Sequence, residues 1–70
     1  MTAWSATQAG RVLVALKRIG WAVERQRGSH RTLKREGSPP YVFAFHDREE
    51  IGPRMLAKIA KRTGLRPEDL

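Results

Sequence analysis

The 70 residues make one domain's worth of chain, with a small core and no room for a deep cavity or a large cofactor. Fourteen Lys and Arg against 7 Asp and Glu give a formal net charge of +7, a footprint that points to nucleic acid first, an acidic protein second and an anionic membrane third. The absence of cysteine excludes a disulfide scaffold, a thiolate zinc site and a cysteine nucleophile, and the two histidines, His30 and His46, lack the helical spacing of a zinc site, so no metal is expected.

Ser5-Ala6-Thr7-Gln8 has the spacing of a capping box, and Thr7 is a second candidate cap. Apolar residues then recur at Ala9, Val12, Leu13, Leu16 and Ile19, the stripe of an amphipathic helix. Gly10 weakens its first turns. Lys17 and Arg18 suit its C-terminal end, Gly20 ends it, and Trp21 can fold back on the last turn.

Trp21 to Gln26 reads as a strand with Trp21, Val23 and Arg25 on one face. Arg27-Gly28-Ser29 is a turn in which Gly28 supplies a positive φ. His30 to Arg35 is a second strand, with Arg31, Leu33 and Arg35 on one face and His30, Thr32 and Lys34 on the other. Glu36 to Pro40 is a loop, since two prolines stop a ladder. Tyr41 to Phe45 is the third and most apolar strand, with Tyr41, Phe43 and Phe45 aligned.

His46 to Glu50 is a polar connection, after which Ile51-Gly52-Pro53 opens a second helix. Leu56, Ile59, Ala60 and Thr63 form its stripe, Gly64 stops it, and Leu65 follows. The expected architecture is α+β, in the order α-β-β-β-α over residues 1–70 as a single domain. Both helices pack on one face of a three-stranded antiparallel sheet, and His30 lies on the open face or its rim.

The chemistry concentrates at Arg25-Gln26-Arg27-Gly28-Ser29-His30. Arginine forks grip phosphate oxygens bidentately, and an imidazole moves protons near neutral pH. A phosphate clamp beside a proton shuttle is a minimal outfit for cutting RNA without a metal. The same residues also fit a plain hairpin turn with a solvated histidine. Arg25, Arg27, Gly28, Ser29, Arg31 and Lys34 are the candidate phosphate contacts. His46, Lys58 and Lys61 are secondary candidates. No apolar run approaches a membrane span, and Met1-Thr2-Ala3-Trp4-Ser5 lacks the pattern of a secretory signal. A cytoplasmic location is expected.

This ordered set resembles the HicA family of small toxins, also called YcfA-like. Gly20-Trp21 after the first helix, the basic Arg27-Gly28-Ser29-His30 turn, the strand end Phe43-Ala44-Phe45-His46, the helix segment Leu56-Ala57-Lys58-Ile59-Ala60 and the close at Gly64-Leu65 carry the likeness, which spans residues 8 to 70. The sequence departs from the pattern in three places. Arg31 stands where many members have a second histidine, Asp47-Arg48 replaces a frequent Gly-Asn, and Arg54 replaces a common glycine. The resemblance implies a double-stranded-RNA-binding-domain-like fold and messenger-RNA interferase activity with His30 as catalyst. It also implies an antitoxin partner of the HicB family and no cofactor. Two rivals share the composition: a non-catalytic module that binds double-stranded RNA, and a basic protein-interaction module.

Overall fold

A computed structural model describes residues 3–70. Met1 and Thr2, part of the segment read for a secretory signal, lie outside the described residues. The element order is β1 (Thr7–Gln8), α1 (Ala9–Arg18), β2 (Ala22–Arg27), β3 (His30–Lys34), β4 (Tyr41–Ala44), β5 (Glu50–Ile51) and α2 (Pro53–Thr63), with a 3-10 turn at Pro67–Asp69. Strands β2, β3 and β4 form an antiparallel sheet in that order. The expected α+β arrangement is therefore present, and it is compatible with the double-stranded-RNA-binding-domain likeness.

One feature was not expected. Strands β1 and β5 pair antiparallel, with Thr7 opposite Ile51 and Gln8 opposite Glu50. Ile51 therefore belongs to a strand and is buried there, and α2 starts at Pro53. The same ladder replaces the expected capping box. Gln8 is the N-cap residue of α1 and makes no side-chain cap, while the Thr7 hydroxyl donates back to the Ser5 carbonyl at 2.8 Å. The first amides of α1 are satisfied by the 47–49 loop instead: Ala9 N–H donates to the Glu49 carbonyl and Gly10 N–H to the Asp47 carbonyl, both at 2.8 Å. A Cβ on Gly10 would sit 3.3 Å from that Asp47 oxygen. The glycine that weakens the helix in isolation is what lets the loop close on it.

The core joins both helices to one sheet face. Val12, Leu13 and Leu16 of α1 pack with Leu33 and Phe43 of the sheet and with Leu56 and Ile59 of α2, all buried. The helix ends meet at Trp21. Gly20 N–H bonds the Lys17 carbonyl and Trp21 N–H the Leu16 carbonyl, the paired bonds of a Schellman close. The buried Trp21 indole N–H then donates to the Thr63 carbonyl at the end of α2, at 3.0 Å. Arg35 covers the joint. Its guanidinium lies 4.8 Å from the Trp21 ring centroid and donates to the Ile19 carbonyl at 3.3 Å and to the Ser38 hydroxyl at 3.4 Å. No helix among the described residues is long and apolar enough to cross a membrane.

Trp21→Phe removes the indole donor and leaves the buried Thr63 carbonyl unpaired, so it should lower stability by about 1–3 kcal/mol. Urea unfolding of the two proteins measures this. An unchanged midpoint would show that the indole bond does not tie the helix ends.

Candidate functional site

The site is built on the β2–β3 hairpin. Arg27 pairs with His30 across a two-residue turn, Gly28-Ser29. Gly28 has φ +60° and no non-glycine residue among those described has a positive φ. Glycine at the first turn position with an ordinary second residue is the sequence that a type II′ hairpin turn requires. A Cβ on Gly28 would meet nothing within 4 Å, so the demand for glycine is conformational and not steric.

An irregularity in β2 decides which side chains join His30. Val23 pairs with Leu33, but the next pair is Arg25 with Thr32, so Glu24 is an extra residue in the strand. Such a bulge shifts the alternation by one. Beyond it, Arg25 and Arg27 share the face of their partners Thr32 and His30. This corrects the expectation that Arg25 points with Trp21 and Val23. Directly opposed side chains on one sheet face stand about 5 Å apart, which sets Arg27 beside His30. Arg25 is two residues further along, about 7 Å by strand rise. On the other flank His30 pairs with Ala44, whose small side chain leaves the imidazole uncovered.

The remaining candidates separate. Lys34 is on the same face but four residues from His30, about 13 Å away, and its ammonium lies 3.4 Å from Glu24. Arg31 is not brought to His30. It pairs with Phe43 on the opposite face, and its side chain is only 13% exposed. Its guanidinium donates to an Asp47 carboxylate oxygen at 2.9 Å and to the Phe45 carbonyl at 3.5 Å. Two of the positions that depart from the family pattern, Arg31 and Asp47, are thus one ion pair.

His46 lies beyond the end of β4 in an exposed turn. Its backbone exchanges hydrogen bonds with Glu49, at 3.2 Å to the Glu49 carboxylate and 2.9 Å from the Glu49 amide. Among the described residues neither His30 nor His46 makes a side-chain hydrogen bond, and no described group fixes the ring of either. Lys58 and Lys61 stand apart from the hairpin, in a groove between α2 and β4 that also takes in Arg62. That groove and the Arg31–Asp47 pair were missed in the sequence. Strand alternation alone placed Arg31 with Leu33 under the helices, and that signal outweighed its proximity to His30. Among the described residues, no group of three or more His, Cys, Asp or Glu converges.

The model of the HicA toxin of bacterial toxin–antitoxin systems matches residues 10–65. No curated protein and no solved structure matches the chain significantly. The chain belongs to the HicA toxin family. It is the toxin of a toxin–antitoxin system, of the messenger-RNA-interferase type.

Arg27 and Arg31 lie on opposite faces of the sheet, so their replacement should have different effects. Arg27→Gln should flatten the log–log salt dependence of single-stranded RNA binding by about 0.7, the loss of one phosphate contact. Arg31→Gln should leave that slope unchanged and lower thermal stability instead. Equal slopes lost from both variants would mean that Arg31 leaves Asp47 to reach RNA.

Proposed function

We propose that the open face of the hairpin is a metal-independent ribonuclease site with His30 as its single catalytic histidine. The observation that carries the proposal is the placement of Arg27 and Arg25 on the same face as an uncovered His30. Arg27 and Arg25 hold the scissile phosphate and concentrate positive charge where negative charge develops, commonly the larger contribution to rate. The turn at Gly28 and Ser29 lets the phosphate approach the backbone closely. Neutral His30 takes the proton of the 2′-hydroxyl. The 2′-oxygen then forms its bond to phosphorus as the bond to the 5′-oxygen breaks, and the departing oxygen is protonated from solvent, which reaches this face freely. The products are a 2′,3′-cyclic phosphate and a 5′-hydroxyl. With no described group orienting its ring, His30 is aligned by the bound phosphate itself.

The substrate in this reading is cytoplasmic messenger RNA, single-stranded or structured. The chain of residues 1–70 works as one RNA-binding and cleaving domain. An exposed site with no lid among the described residues calls for an external inhibitor. A HicB-family antitoxin presenting acidic groups to the arginines would block RNA by occupying the same face, and complementary charge would speed that encounter.

General-base catalysis contributes about 10²–10⁴-fold, so His30→Ala should slow RNA cleavage by at least about 100-fold and abolish growth inhibition, with an unchanged circular dichroism spectrum. Wild-type cleavage should survive EDTA and leave cyclic phosphate ends, and co-expression of a HicB-like neighbouring reading frame should restore growth. Full cleavage by the folded variant, or a strict magnesium requirement with 5′-phosphate ends, would reject the mechanism.

A further inference from the structure

Lys58, Lys61 and Arg62 lie at i, i+3 and i+4 of α2 and therefore on one helix face. With Pro40, Tyr41 and Val42 they line a groove of about 490 Å³. All three cations are exposed, no acid lines the groove, and none of the three has an ion-pair partner among the described residues. The helix dipole favours Lys61 and Arg62 in the last turn. It does not account for Lys58, which adds like-charge repulsion one turn earlier. An anion relieves that repulsion.

The other wall is not merely inert. Val42 is 52% exposed and pairs with Thr32, so it stands on the His30 face of the sheet. Tyr41 alternates to the helix side and is half-buried there. Burial pushes its phenol up from the ordinary tyrosine range, and the nearby Arg62 charge draws it partly back, so the hydroxyl keeps its proton and stays a donor at neutral pH. The groove therefore wraps over β4, an edge strand of the three-stranded sheet. Val42 is two residues from Ala44, the partner of His30, a distance of about 7 Å along the strand.

We propose that this groove is a second RNA subsite, which holds the single-stranded segment flanking the cleaved bond as it leaves the His30 face over β4. Lys58, Lys61 and Arg62 contact its phosphates, while Pro40, Tyr41 and Val42 offer apolar surface to its sugars and bases. The inference rests on the reading of His30's face as the cleaving site. A single strand fits better than a duplex. Cations beside an aromatic and aliphatic wall form a stacking platform for unpaired bases, whereas a duplex presents mainly phosphates and hydroxyls and has no use for the wall.

The experiment uses the full chain carrying His30→Ala, so that RNA binds without being cut. Into it go Lys58→Gln, Lys61→Gln and Arg62→Gln together. Glutamine keeps helix propensity at these exposed positions, and circular dichroism checks the fold. Affinity for a single-stranded RNA of about 12 nucleotides, within the usual range of single-strand sites, is followed by anisotropy across a salt series. The triple variant should flatten the log–log slope by about 2, three contacts at about 0.7 each. A base-paired hairpin RNA should show no such dependence on the groove.

Several results would overturn the subsite. If the slope stays unchanged here but flattens on Arg25→Gln with Arg27→Gln, the groove is wrong and the cleavage reading stands. Equal dependence for the hairpin RNA rejects the single strand. Unchanged RNA binding with weakened capture of the acidic antitoxin makes the groove a protein contact. If the His30→Ala parent binds no RNA at all, the subsite and the cleavage reading fall together.

Discussion

One extra residue in β2 governs the composition of the open face. Up to Val23 the strand alternates so that apolar side chains meet the helices. Continued without a break, that alternation would turn Arg25 and Arg27 toward the core, where an unpaired cation is strongly unfavourable. The bulge at Glu24 reverses the faces, and both arginines emerge beside His30. Glu24 itself meets Lys34 at 3.4 Å, an exposed pair worth at most about 1 kcal/mol. The fold therefore does not hold Glu24 for its charge. Its main effect is geometric, since it lets one strand serve a buried core at one end and a cationic surface at the other.

A second constraint runs through the 45–49 segment. Its carbonyls cap α1, and its Asp47 carboxylate holds Arg31. Arg31 is adjacent to His30 in sequence and opposite to it in direction. Anchoring the guanidinium on the helix side fixes the backbone from which His30 projects outward. The same segment follows directly from Ala44, which flanks His30 on β4. Thus the helix start, the β3 backbone and one border of the site share a single short connection. Replacing Asp47 would release Arg31 and withdraw the partner of a side chain that is mostly covered, with only a 3.5 Å bond to the Phe45 carbonyl left to it.

Much of this was legible in the residues. Both helix stripes, the stops at Gly20 and Gly64, the fold-back of Trp21 and the face assignments of β3 and β4 follow from periodicity and turn chemistry. The β1–β5 ladder did not, because Thr7–Gln8 and Glu50–Ile51 are too short to show alternation, and their pairing is a long-range contact. The capping box failed for the same reason: a distant loop supplied the carbonyls, and Ser5 was not needed. The bulge left no mark on β2 either, since Ala22 to Arg27 has only one strongly apolar residue, Val23, from which to read a face. At the site, the turn and His30 were readable from Gly28-Ser29-His30, whereas the membership of Arg25 and the separation of Arg31 required the register.

In the proposed mechanism His30, Arg25 and Arg27 act together on RNA from one sheet face, with Arg31 held behind it by Asp47. The most direct measurement is nuclear magnetic resonance mapping with an RNA whose reactive 2′-hydroxyl is replaced by hydrogen, so that it binds but cannot react. The His30 ring and the Arg25 and Arg27 side chains should shift on titration, while the Arg31 guanidinium, bonded to Asp47, should not. Shifts centred on Arg31 and the helix side, with a silent His30 face, would contradict it.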